Sequence, residues 1–139
     1  MATDSRQWRL ADSLAQLRKE VNAKYPNRSK KSDGTIGDAA HRSRKSDHNP
    51  DEKGRVKAID LTHDLKPDGT GFSAAWLAER LRLKKDPRIS YVIFGGRIFS
   101  STVRPWQWRP YTGSNPHNHH VHISVTAKGA DDARPWGIA

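Results

Sequence analysis

His119-His120-Val121-His122-Ile123-Ser124-Val125-Thr126 alternates in side-chain character almost residue by residue. A period of two belongs to a β-strand with unlike faces, so 119–126 reads as a strand carrying His120 and His122 on one side and His119 and Val121 on the other. Two further segments join it. Ile89 to Phe94 (ISYVIF) is rich in β-branched and aromatic residues, and Gly95-Gly96 after it suits a tight hairpin into Arg97–Ser101. Val56 to Leu61 (VKAIDL) reads as another strand, with Val56, Ala58 and Asp60 on one face.

Helical spacing appears twice. Leu10, Leu14, Leu17 and Val21 recur within 8–23, and Pro26 stops the pattern. Phe72 to Leu83 places Phe72, Ala75, Trp76, Ala78 and Leu81 near one side, ending at Asp86-Pro87. A short helix is expected over Ile36 to Ser43. Loops are expected over 24–35, 44–55, 64–71 and 102–118, and a polar tail from Lys128, with Trp136 folded back. Helices and antiparallel strands in mixed order, without a regular βαβ rhythm, predict an α+β fold: a small antiparallel sheet with flanking helices.

The chain has 139 residues, which suits a single domain. Only 34% of residues are hydrophobic, so the core is expected to be small, with five Trp and three Phe compensating by area. There are no cysteines, which excludes disulfides and any thiolate-bound metal. The net charge of +10 draws the protein toward polyanions without choosing among nucleic acid, teichoic acid and anionic lipid. No stretch approaches a membrane span, and MATDSRQWRLADSLAQL holds no apolar run fit for a signal peptide. Synthesis in the cytoplasm is therefore expected, with any export supplied by another factor.

Four of the seven histidines, His117, His119, His120 and His122, fall within six residues. An H-x-H on a strand sets two imidazoles side by side, and neutral imidazole is a common zinc ligand. Asp60 sits in an apolar strand, where a carboxylate is costly unless paired with a cation or bound to a metal. Paired with one of the many arginines, it would be structural. Taken with His48, however, Asp60 and one histidine of the H-x-H supply the three protein ligands that a catalytic zinc needs, with one position left for water. The spare histidine is then placed for acid/base work.

Ser46-x-His48, Ala58-Ile59-Asp60 and His120-x-His122, in that order, resemble the zinc D-Ala-D-Ala peptidase family. That family includes bacterial carboxypeptidases and the peptidase domains of phage endolysins, and it shares the Hedgehog-type fold. The strings SDHNP, AIDLTHD, DPRISYVIF and WRPYTGSNPHNHHVHISV are most similar to actinobacterial and actinophage members. The resemblance runs from about Gly37 to Val125.

It implies one zinc ion held by His48, Asp60 and His122, with His120 as acid/base and His117 as a further active-site histidine. Ser46 would lie near the substrate backbone. An upstream arginine would grip a substrate carboxylate, a role open to Arg42 or Arg44, with Arg44 preferred. The implied reaction is hydrolysis of an amide bond in the peptidoglycan stem peptide or cross-link, by carboxypeptidase or endopeptidase action. A monomeric endolysin catalytic domain is implied, reaching the wall after a membrane-permeabilising partner releases it, with anionic wall polymers as secondary partners. The competing expectation is a non-catalytic basic module for nucleic acid or wall polymer, supported by the charge and by NRSKKSDG.

This chain departs from the family in two places. The insert NPDEKGRVK separates His48 from Asp60 more widely than in many members, and is expected to loop out. Several members carry an acidic residue three positions before the last ligand, where this chain has His119; strand alternation turns His119 away from His122, which favours His120 as the base. His41 is expected on a helix surface. His63 is expected to be structural, with a supporting contact to Asp60 as the alternative. Trp106, Trp108 and Tyr111 would either line a groove or fill the core.

Overall fold

A computed structural model describes residues 8–35, 48–113 and 117–138. The helix expected over 36–43, together with His41, Arg42, Arg44 and Ser46, lies outside the described residues.

The described chain is α+β, with a small antiparallel sheet and two helices. β1 (Arg9–Leu10) leads into α1 (Asp12–Lys24), then β2 (Arg55–Val56), β3 (Ala58–Thr62), β4 (Asp64–Leu65) and β5 (Gly71–Phe72). α2 (Ala74–Lys84), β6 (Ile89–Phe94), β7 (Arg97–Ser100), β8 (Arg109–Pro110) and β9 (His120–Val125) follow. The central sheet has the order β3-β9-β6-β7-β8, and all its pairings are antiparallel.

Helix boundaries differ from expectation by a few residues, for local reasons. α1 starts at Asp12 because Arg9 and Leu10 are drawn into parallel pairing with Arg55 and Val56. α2 starts at Ala74 because Ser73 caps it, Oγ accepting from Trp76 N at 3.1 Å. Phe72 therefore belongs to the small β4–β5 hairpin, which forms inside the segment expected to be a connector. β2 and β3 divide the single strand expected over 56–61. The hairpin after β6 turns on Gly95 (φ 61) and Gly96 (φ 77), both left-handed, as a two-residue turn between twisted strands demands.

Both helices contribute to a core on one sheet face. Leu14, Leu17 and Val21 of α1 and Leu77, Ala78 and Leu81 of α2 share it with Ile59 and Leu61 of β3, Val92 of β6, Phe99 of β7 and Val121, Ile123 and Val125 of β9. Trp136 returns to this cluster, its indole N–H donating to Ser13 O at 2.8 Å. Its backbone N–H donates to Glu20, and the Arg88 guanidinium lies 3.9 Å from its ring centroid. The tail is thereby fastened to α1.

The other sheet face carries the polar residues. Asp60 pairs with His122 and Thr62 with His120 across β3–β9, while Ile93 pairs with His122 across β6–β9. A register shift lies between Ile89 and Tyr91. It keeps Ile89 in the core opposite Val125 and still places Tyr91 opposite Ser124 on the polar face.

Candidate metal centre

His48, Asp60 and His122 each bring one ligand atom within 4.8 Å of the others, in a group that can hold a metal ion. His122 Nδ1 lies 3.2 Å from Asp60 Oδ1 and 3.2 Å from His48 Nε2, and His48 Nε2 lies 3.3 Å from Asp60 Oδ2. Asp60 and His122 meet because they are register partners on adjacent strands. His48 reaches them from outside the sheet, after which the Asp51–Arg55 turn carries the chain back to β2. That turn is held by Asp51 accepting from Arg55 N and Nε at 3.0 Å each.

The hydrogens follow from the partners. His48 Nδ1 lies 2.8 Å from the carbonyl oxygen of Thr35. A carbonyl only accepts, so Nδ1 carries the hydrogen and the neutral ring keeps a lone pair on Nε2. His122 Nε2 lies 2.8 Å from Ser124 Oγ, which can accept from it and leave a lone pair on Nδ1. Two imidazole lone pairs and a carboxylate then converge with no hydrogen between them. Such a set repels itself unless a cation, metal ion or proton, sits among its members. The donors therefore fit a metal, and their outward nitrogens are tied as ligand histidines commonly are.

Asp60 is mostly buried. Where a proton takes the cation's place on the facing nitrogens, burial pushes the Asp60 carboxyl up, but hydrogen bonding and charge from His122 and His48 outweigh this and hold it far below the ordinary carboxylate value. Its backbone is fixed on both sides, pairing with His122 on β9 and with Gly34, whose N–H donates to Asp60 O at 3.1 Å. A Cβ at Gly34 would meet Asp60 Oδ2 at 3.6 Å, an ordinary van der Waals contact, so Gly34 packs directly against the carboxylate.

His120 stands beside the trio, Nε2 lying 3.5 Å from Asp60 Oδ2. Neither of its ring nitrogens has a hydrogen-bond partner among the described residues. Burial lowers its pKa, against the raising effect of Asp60, and so favours the neutral ring. His117, at φ 60, sets its ring 5.2 Å from that of His120 and 5.4 Å from that of His122. His119 is exposed, on the opposite side of the alternation.

The structure separates the remaining candidates. His63 Nδ1 accepts from Ala74 N at 2.9 Å at the start of α2, a structural role. Trp106 and Trp108 pack on the helix-side core around Phe99, and Trp108 Nε1 donates to Glu79 at 2.9 Å, so neither lines the metal site. Tyr111 does approach the site, its ring 5.8 Å from His117. Four residues join that sequence reading did not single out: Thr35, Gly34, Ser124, and Tyr91, whose ring stacks on His122 at 5.3 Å and 14°.

No family model, curated protein or solved structure matches this chain. Among the described residues no helix is long and apolar enough to cross a membrane.

Proposed function

We propose that the chain is a zinc-dependent peptidase of the D-Ala-D-Ala peptidase type, with a Hedgehog-type fold, hydrolysing an amide bond of the peptidoglycan stem peptide or cross-link. The observation that carries this reading is the three-donor set His48, Asp60 and His122, with His120 beside it, 3.5 Å from Asp60 and without a hydrogen-bond partner among the described residues. A structural zinc is usually enclosed by four protein ligands, whereas a catalytic one keeps a position open. Two imidazoles and one carboxylate, with no thiolate in the chain, favour zinc over magnesium or calcium.

Zinc bound there would supply Lewis acidity toward the scissile carbonyl and toward water. The protein's own groups do the rest. His120 takes up a proton at Nε2, and Asp60 beside it stabilises the imidazolium that forms. It then returns that proton to the leaving amine. His117, in ring contact with His120, borders the space in which the reacting bond would lie. Tyr91 stacked on His122, and Thr35 and Ser124 bonded to the ligand rings, keep the donors in one orientation. Arg44 and Ser46 are proposed to position the substrate, and the +10 charge to hold the protein on an anionic wall as an endolysin domain.

Digestion of characterised peptidoglycan, with the fragments weighed by mass spectrometry and a chelator-treated control, tests this. Chelator-sensitive release from a cut stem peptide supports the reading, and the masses name the bond. Intact stem peptides after incubation with zinc-loaded protein would reject it and favour a basic binding module.

A further inference from the structure

We propose that Arg109 is an anion-binding residue of the same site, holding a carboxylate of the peptide substrate at the far end of the sheet from the metal ligands. The proposal rests on the peptidase reading for its substrate class.

Register places Arg109 in line with the metal centre. Asp60 pairs with His122, His122 with Ile93, Ile93 with Ile98, and Ile98 with Arg109, crossing the sheet from β3 to β8. Cross-strand partners share a face, so Arg109 stands on the face that carries His122 and Asp60. Ile93 and Ile98 lie between. Ile93 is 4% exposed yet lies outside the helix-side core, as a residue of the polar face must. The row thus runs from carboxylate and imidazole, past the buried Ile93 and the half-buried Ile98, to a guanidinium.

The guanidinium is out of keeping with its counterparts. Arg28, Arg55 and Arg88 are buried, and each is matched to an aspartate: Asp33 at 2.8 Å, Asp51 at 3.0 Å and Asp86 at 2.7 Å. Arg109 is half-buried, with its Nε shielded from solvent and lacking a hydrogen-bond partner. Among the described residues it has no ion pair either. A donor nitrogen shielded and left unmatched is costly, and the planar guanidinium fork that carries it suits a carboxylate supplied from outside. Nearby, Tyr111 N donates to Gly96 O at 2.8 Å and Gly95 N to His117 O at 3.2 Å, which ties Tyr111 and His117 each to the β6–β7 turn. The Tyr111 and His117 rings lie 5.8 Å apart, and that of His117 is 5.4 Å from that of His122.

Three strand intervals separate His122 from Arg109, about 14 Å at the usual spacing. An extended peptide covers that distance in about four residues, and fewer once the arginine side chain reaches back. The ligand inferred is a short peptide with small aliphatic side chains and a free carboxylate about two to four residues from the bond that is cut.

The test compares two stem tetrapeptides, one with free carboxylates and one fully amidated, by titration calorimetry. Wild-type chain, Arg109→Gln and Arg109→Lys are titrated in chelator to block turnover, and turnover of zinc-loaded wild type is followed separately. Wild type should bind the free acid at least about tenfold more tightly than the amide. Arg109→Gln should lose most of that preference, with any remainder falling to Arg44, and Arg109→Lys should restore part of it. Equal binding of the two peptides by wild type, no binding of either, or a preference undiminished in Arg109→Gln would overturn the proposal. Absent turnover with an Arg109-dependent preference would reject the peptidase and keep the anion site; turnover without that preference would do the reverse.

Discussion

The Nδ1–H of His48 donates to the carbonyl oxygen of Thr35 at 2.8 Å, and that bond turns the lone pair of Nε2 toward Asp60 and His122. Ser124 Oγ, 2.8 Å from His122 Nε2, does the same for the second ring. Ser124→Ala should therefore weaken zinc binding by about 10- to 100-fold through loss of orientation alone. His122→Ala, which removes the ligand, should weaken it further. Competition against a chromophoric chelator measures both, and equal affinities for wild type and Ser124→Ala would remove the orienting role.

A folded site that binds a cation couples the cation to stability. Zinc at 100 times its dissociation constant should add about 2.7 kcal/mol. For a chain of this size that is a rise of roughly 8 °C in Tm. Asp60→Asn replaces the carboxylate by a weak donor and should lose most of the rise. Thermal unfolding followed by tryptophan fluorescence, with zinc and with chelator, reads it directly, and a Tm indifferent to zinc would argue against a preformed site.

His120 lies within 3.5 Å of Asp60 but outside the ligand trio, so binding and turnover should separate there. His120→Gln should lower kcat by about 100- to 10,000-fold with zinc affinity within a few-fold of wild type. A variant that loses zinc in proportion to activity would make His120 a ligand instead of a proton carrier.

Much of this arrangement was legible because strand alternation is a strong local rule. The pattern of 119–126 put His120 and His122 on one face, and the structure pairs that face with Thr62 and Asp60. Tyr91 was hidden by the same rule. Plain alternation in ISYVIF groups Tyr91 with Ile89, which is in the core, and only the register shift between them frees Tyr91 to face His122. Thr35 contributes a backbone carbonyl, which leaves no mark in residue type. Trp106 and Trp108 were ambiguous because aromatic content alone cannot tell a groove from a core; their packing on Phe99 settles it. Arg109 looked like any residue of a long basic loop until β8 gave it a register.

Phe99 anchors that loop. It is fully buried, with ring centroids 6.0 Å from Trp106 and 5.0 Å from Trp108. Phe99→Ala should cost about 3–4 kcal/mol through lost burial and the cavity left behind. Chemical denaturation measures that loss. Because the affected segment also carries Arg109, peptide binding should fall in the same variant while zinc affinity holds.

Part of the acid sensitivity should lie in the segment that brings Thr35 to His48. Asp33 accepts from Arg28 at 2.9 and 2.8 Å and from both Thr62 N and Thr62 Oγ1 at 2.7 Å, which fastens that segment to β3. Burial pushes the Asp33 carboxyl up, but Arg28 and Thr62 outweigh it and hold the group below its ordinary value. A carboxyl depressed in the folded state binds fewer protons there than when unfolded. Its contribution is therefore complete above the unfolded value of about 3.9 and is lost as pH falls through the lower folded value. Stability should be flat on this account from neutral pH to about 5 and fall steeply below 4. Asp33→Asn should make that acid limb shallower, leaving the share of Asp60 and Asp86. It should also cost about 3 kcal/mol at neutral pH, because the Arg28 side chain, 0% exposed, loses its counter-charge. Denaturant titrations of wild type and Asp33→Asn between pH 7 and pH 2 decide the matter: parallel acid limbs in the two proteins would place the sensitivity elsewhere.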